Sequence, residues 1–218
     1  MTPLTLRLSA RDAATTVAAI LTLALVAAMP AAATPAAATP AEVGQAAPDF
    51  TLTDIEGKEH RLGDYMAEGM VVVLEWFNPD CPFVQKHHRT HKTMDELAAR
   101  YADHDVAWLA VNSGAPGKQG AGLERNRKAH EEFAMTAPLL LDESGDVGRA
   151  YGAKTTPHMF VIDREGVLRY AGAIDSDRDP ARLGETNHVD EALQAVVAGK
   201  TVKTATTRPY GCSVKYSD

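Results

Sequence analysis

Apolar and polar positions alternate over Phe50-Thr51-Leu52-Thr53, Glu56-Gly57 supplies turn chemistry, and Lys58 to Leu62 can return, so the pattern predicts an opening β-hairpin. Val71 to Phe77 is too continuously apolar for a half-exposed strand and suits the middle of a sheet covered on both faces. After it, Phe83, His87, Met94, Leu97, Ala98 and Tyr101 fall mostly at helical spacings, which predicts one long helix. Val106 to Val111 supplies the next strand and completes a β-α-β unit. A Gly-rich polar stretch, Asn112 to Lys128, leads into a helix ending near Ala134. Leu139 to Leu141 reads as a short buried strand, and Asp142 to Tyr151 as a short helix closed by Gly152. Met159 to Asp163 and Val167 to Ala171, joined at Glu165-Gly166, form a second hairpin. Val189, Ala192, Leu193, Val196 and Val197 make a helical stripe that stops at Gly199. The sum is an α/β sandwich: a mixed central β-sheet flanked by helices, with an N-terminal β-hairpin.

The first residues follow a different rule. Arg7 and Arg11 precede an apolar stretch, Val17 to Ala28, and then the small residues of Met29-Pro30-Ala31-Ala32-Ala33, the order of a secretory signal. Residues 1–33 are therefore expected to be a signal peptide, with no stable membrane span after cleavage, and the chain to be exported, periplasmic or extracellular. Residues 34–46, rich in Ala and Pro, read as a flexible linker. Signal and linker aside, about 170 residues remain, enough for a single core, so residues 47–200 are expected to form one domain. Residues 201–218 are a C-terminal tail. A formal charge of -7 offers no basic face for nucleic acid.

Cysteine gives the chemistry. The chain has two, Cys81 and Cys212, too few for a disulfide-stapled scaffold. Cys81 follows the Val71–Phe77 run across a short loop and sits directly before Pro82 and the helical pattern. Backbone N–H groups at a helix start favour thiolate over thiol, so an accessible, nucleophilic sulfur is expected there. Neighbouring Asp80 adds negative charge that opposes this.

The A-P-D-F-T-L opening (Ala47 to Leu52), the strand into Cys81, the run Tyr151-Gly152-Ala153-Lys154-Thr155-Thr156-Pro157, and its continuation through Phe160-Val161-Ile162-Asp163 to Gly172 occur in a telling order. In these residues the chain resembles the thioredoxin superfamily, and within it the exported redoxins of the AhpC/TSA (peroxiredoxin-like) and TlpA/ResA-like group. The resemblance implies a thioredoxin-like sandwich and a thiol-dependent oxidoreductase acting on a protein disulfide or a peroxide. A thiol reductant protein would supply electrons, and no organic cofactor is implied. It further implies that Pro157 follows a cis peptide bond beside the active thiol and that the Thr156 backbone faces Cys81. Glu75 takes the place of the buried carboxylate that manages protons behind the sulfur; pairing with a lysine or access to solvent are equal alternatives. His158 either stabilises the sulfur or points away along its strand.

The family pattern is incomplete. Cys81-Pro82-Phe83-Val84 lacks the second cysteine of Cys-x-x-Cys, and Asn78 stands where a peroxidatic cysteine would be preceded by Thr or Ser. Cys212, in the Gly- and Tyr-flanked tail, is the remaining candidate to resolve a mixed disulfide; a permanent Cys81–Cys212 bridge and two separate thiols are the other readings. A second function class is a Sco-like copper carrier using Cys81, His87 and His91. Against it stands the plainer reading, with His87 in the apolar stripe and His88 and His91 in water. Asp175, Asp177 and Asp179 imitate a calcium loop, but Pro180 and Thr186 break the pattern, leaving a solvated acidic loop.

Overall fold

The computed structural model describes residues 40–218. The expected signal segment, 1–33, lies outside the described residues, as do residues 34–39 of the linker. The last linker residues are already docked on the domain: Ala41 N–H donates to Ala150 O at 2.8 Å, Gly44 N–H to Leu168 O at 2.8 Å, and Ala46 bridges Val167. The cause is Ala41 and Val43, whose side chains pack against the sheet's apolar face.

In chain order the elements are β1 (Thr51–Asp54), β2 (Glu59–Arg61), α1 (Leu62–Ala67), β3 (Val71–Trp76), α2 (Pro82–Gln85), α3 (Thr93–Arg100), β4 (Val106–Asn112), α4 (Leu123–Phe133), β5 (Leu139–Leu141), α5 (Asp146–Tyr151), β6 (Thr155–Thr156), β7 (Met159–Ile162), β8 (Leu168–Gly172), α6 (His188–Val197) and β9 (Cys212–Ser213). Seven strands form one sheet in the order β2-β1-β5-β4-β3-β7-β8, and β6 pairs with β9 in a separate ribbon. β3 runs parallel to β4 and antiparallel to β7, so the sheet is mixed. The α/β sandwich and its opening hairpin stand as expected.

Both faces of β3 are covered, which is why its run is apolar throughout. Val71 and Val73 pack with Met94 and Leu97 of α3 and Val189 and Leu193 of α6. Val72, Leu74 and Trp76 pack on the other side with Leu62 of α1 and Tyr151 of α5. A third cluster, on the α3 and α6 side, joins Phe77, Cys81 and Val84 to Ala129 and Phe133 of α4. Trp76 is thus a core aromatic on the face opposite Cys81, its indole N–H donating to Ser113 Oγ at 2.9 Å.

The long helix expected after Cys81 is broken. α2 gives way to a π-helical turn, Lys86–Thr90, and Lys92 in the left-handed region (φ 55°) separates it from α3. A π turn takes in one residue more than an α turn, which changes the set of side chains facing inward. Lys86, His87 and His88, three consecutive polar residues, all become buried. The longest helix among the described residues is α4, not the one after the thiol.

Candidate active site

Cys81 caps α2 in extended conformation (φ -87°, ψ 122°), with Pro82 at the first helical position. Proline suits that position because its missing N–H would have no helical partner. The Cys81 Sγ–H donates to the Thr156 carbonyl at 2.9 Å, and the Thr156–Pro157 peptide bond is cis. Thiol, bent peptide and threonine backbone therefore meet at one point.

The sulfur is not open to solvent as expected, since Cys81 is only 1% exposed. The cover is the C-terminal tail. β9 pairs antiparallel with β6, and the register sets Cys212 opposite Thr156, the residue whose carbonyl holds Cys81. The Cys212 side chain packs against the cluster containing Cys81, and both cysteines are free thiols. Burial pushes the Cys212 thiol up to about 11, helped by the hydrogen bond and charge of Cys81 beside it and opposed by Lys215. Cys212 accordingly holds its proton near neutral pH in the resting arrangement.

Gly211 makes this approach feasible. Its φ is +130°, and a Cβ there would lie 2.0 Å from Thr156 O, so only glycine lets the tail backbone come this close. Val214 N–H donates to Lys154 O at 3.2 Å, Ala115 N–H to Lys215 O at 2.8 Å, and the Tyr216 hydroxyl to Ala153 O at 2.9 Å. Upstream, Thr206 bridges Ala171, and Thr207 Oγ1 accepts from Ala173 N–H at 2.8 Å.

Glu75 is fully buried, so it does not reach solvent, and its partner is not a lysine. His88 Nε2 meets Glu75 Oε1 at 2.7 Å, and the Trp108 indole N–H donates to Oε2 at 3.3 Å. His88 is therefore buried rather than solvated, edge-on to Phe77 and stacked on Phe133, inside the Cys81 cluster. His158 turns towards its own loop: Nδ1 accepts from Lys154 N–H at 3.3 Å, and the ring lies 4.4 Å from that of Phe160. Burial, with Lys154 adding to it, lowers His158 to about 4, so its ring is neutral at pH 7. Asp80 does not face Cys81 as a free charge, because Arg125 donates to it through Nε at 3.0 Å and Nη2 at 2.6 Å.

The copper set does not assemble. His87 uses Nε2 on the Tyr210 hydroxyl (3.0 Å) and Nδ1 on Thr93 Oγ1 (3.2 Å), while His91 Nε2 reaches Ala181 O at 3.3 Å. Among the described residues no three His, Cys, Asp or Glu side chains come together as a metal site. Nor is the acidic loop wholly solvated. Asp175 is buried, ion-paired with Lys86 at 3.2 Å and accepting from the Tyr210 hydroxyl and from Gly184 N–H at 2.8 Å. Burial pushes Asp175 up, but these donors with the charges of His87 and Lys86 outweigh it and hold the carboxyl below its usual range. Lys86 and Arg125 are the site neighbours that the sequence pattern did not single out; His88 and Asp175 it placed in water, and Tyr210 it gave only as part of the tail. The tail's tyrosines were its one available signal.

Comparison with known proteins agrees with this geometry. The AhpC/TSA family model matches residues 43–171. The chain is 38% identical over 127 residues to the thiol-disulfide oxidoreductase ResA of Geobacillus thermodenitrificans, covering 58% of this chain and 67% of the relative. Among solved structures, an uncharacterized conserved protein from Geobacillus kaustophilus superposes with a TM-score of 0.74 at 29% identity, covering 81% of this chain and 93% of that one. A hypothetical protein from Sinorhizobium meliloti 1021 gives 0.71 at 28%, covering 82% and 97%. With its mixed sheet, its cis-proline loop and its single thiol before a helix, this chain belongs to the AhpC/TSA family of the thioredoxin superfamily, in the TlpA/ResA-like group.

Proposed function

We propose that this protein is an exported thiol-disulfide oxidoreductase in which Cys81 is the attacking thiol and Cys212 the resolving one. One observation carries the reading: both sulfurs converge on Thr156, one through a hydrogen bond to its carbonyl and the other through its strand register. The name of the ResA relative supports the reaction class. The signal-like order of the first residues supports export.

The steps balance as two thiol exchanges. Once the tail lifts from Thr156 and uncovers the sulfur, Cys81 thiolate attacks one sulfur of a substrate disulfide, the S–S bond breaks, and the first thiolate leaves with the electron pair. Cys212 thiolate then attacks Cys81 Sγ and expels the second, leaving a Cys81–Cys212 disulfide. The substrate gains two electrons and the two cysteines lose them; a thiol protein returns them. Part of what raises Cys212 is Cys81 itself, so converting Cys81 to a mixed disulfide removes that part just when Cys212 must ionise. A hydroperoxide enters the same scheme by taking Cys81 to sulfenic acid, which Cys212 condenses to the same disulfide with loss of water. Pro157 and Thr156 shape the backbone that faces Cys81, His158 fixes its loop, and Glu75 is hydrogen-bonded to His88 behind the helix.

Insulin reduction and peroxide consumption, measured on wild type, Cys81→Ser and Cys212→Ser, test the roles. Loss of turnover in the first variant and stalling at a mixed disulfide or sulfenic acid in the second are expected. Equal rates from all three would remove both thiols from the mechanism.

A further inference from the structure

A buried polar knot connects the two cysteine-bearing segments, and thiol exchange does not by itself require it. Lys86, on the π turn five residues after Cys81, sends its ammonium to Asp175 at 3.2 Å, to Asp177 O at 2.7 Å and to the Tyr210 hydroxyl at 3.3 Å. His87 Nε2 reaches the same hydroxyl at 3.0 Å, and that hydroxyl donates to Asp175. The phenol's capacity is filled: one proton given, two lone pairs engaged. The neutral His87 tautomer with its proton on Nε2 satisfies every contact, because Nδ1 can then accept from Thr93. Lys86 Nζ also lies 5.2 Å from the Tyr210 ring centre, and Phe83, on the Cys81 helix, packs edge-on to that ring at 5.7 Å.

We propose that Tyr210, gripped by Lys86, His87 and Asp175, is the positioning residue that seats Cys212 on Thr156 for attack on Cys81. The inference rests on the resolving role proposed for Cys212 and goes beyond it by naming what sets the encounter. Between Thr207, whose N–H donates to Ala171 O of β8, and Cys212, paired with β6, Tyr210 is buried, whereas Arg208 is exposed and Pro209 and Gly211 are partly exposed. It stands two residues before the sulfur. Its partners Lys86 and His87 follow Cys81 on the same short segment, so the grip ties one cysteine's segment to the other's. Removing the hydroxyl should leave β9 free to lift from Thr156. Held as a fixed neighbour, Cys212 acts on Cys81 at high effective concentration; released, it must find it by chance.

The reduced full-length chain mixed with glutathione disulfide gives a direct reading. Cys81 takes one glutathione as a mixed disulfide and releases the other as thiol. Cys212 then displaces the bound glutathione, and intact-mass spectrometry follows both species in time. Wild type is expected to pass rapidly to the internal disulfide, while Cys212→Ser stops at the adduct. In Tyr210→Phe the adduct should form at the wild-type rate or faster and decay at least ~10-fold more slowly. A residue that merely stabilises the fold would lower the melting temperature without changing that partition. Phe keeps the ring, and Asp175 keeps Lys86 and Gly184, so the variant should fold; near-UV circular dichroism checks it. Should it not fold, His87→Leu, which removes one holder of the hydroxyl and leaves the Lys86–Asp175 pair intact, carries the same expectation through a loosened grip. If wild type makes no internal disulfide, the resolving role falls and this inference with it. If wild type resolves and the folded variant resolves equally fast, the positioning role alone is overturned.

Discussion

At Gly211 a single hydrogen decides how the tail lies. The residue has φ +130°, and its Cα faces Thr156 O so closely that any Cβ would sit 2.0 Å from that oxygen. Gly211→Ala must therefore rotate the tail or displace the cis-proline loop, at a cost on the order of 1–3 kcal/mol if the docked state is kept. Undocking is the cheaper response, because the tail ends in partly exposed residues while the loop is anchored in the sheet. Alkylation of Cys212 by iodoacetamide, read by mass at native pH, is the measurement. An increase of at least ~10-fold over wild type is expected, with the domain still folded. An unchanged rate would mean that the backbone contact at Thr156 does not govern access to the second thiol.

At the scale of elements the π turn matters most. An uninterrupted α-helix would not present Lys86, His87 and His88 inward together, since consecutive residues on an α-helix point about 100° apart. The turn delivers a lysine ammonium with 0% exposure against Asp175, 89 residues away in sequence. Breaking one partner of such a pair is worse than never having buried it, because the survivor is left charged in a poorly solvated place. Asp175→Ala should thus cost about 3–5 kcal/mol, visible as a lowered urea midpoint. The double variant Lys86→Met/Asp175→Leu should recover much of that loss, and no recovery would mean the pair is not the source of the penalty. These elements also show what sequence can reveal. The hairpin, β3, Cys81-Pro82 and Thr156-Pro157 were readable because each is written in neighbouring residues as alternation, an apolar run or a proline. The π turn was not: it interrupts an apolar stripe whose average spacing still reads as helix. β9 was not readable either, since two residues carry no period, and its partner Thr156 lies far back in the chain. Glu75 was located but not its histidine, because nothing local pairs β3 with the middle of a helix.

Across the whole molecule, two buried neutral histidines set the direction in which stability follows pH. His87 is lowered from 6.5 to about 3, by burial first and by the charges of Lys86, His88 and His91, with Asp175 opposing. His158 is lowered from 6.5 to about 4, by burial and Lys154. In the unfolded chain both bind protons as the pH falls through 6.5, whereas in the folded chain they resist until about 4 and about 3. The unfolded state then carries more protons, so stability is fully present above 6.5 and declines as the pH falls towards the folded values. For His158 the shift corresponds to on the order of 3 kcal/mol across that window. Asp54 and Asp175, both held below 3.8, lose their contributions only in stronger acid, so the decline begins with the histidines. Urea midpoints at intervals from pH 8 to pH 4 should be level above 6.5 and fall steadily below it, and His158→Gln should flatten part of the slope. Equal midpoints at pH 7.5 and 4.5 would contradict the burial of two uncharged rings. His87 also bears on the tail, because its Nε2 holds Tyr210. Acid strong enough to protonate it from within would add the proton at Nδ1, the nitrogen facing Thr93, and leave the Nε2–H donation to Tyr210 in place, so the acid loss of stability at His87 should appear in the urea midpoint and not as release of the tail.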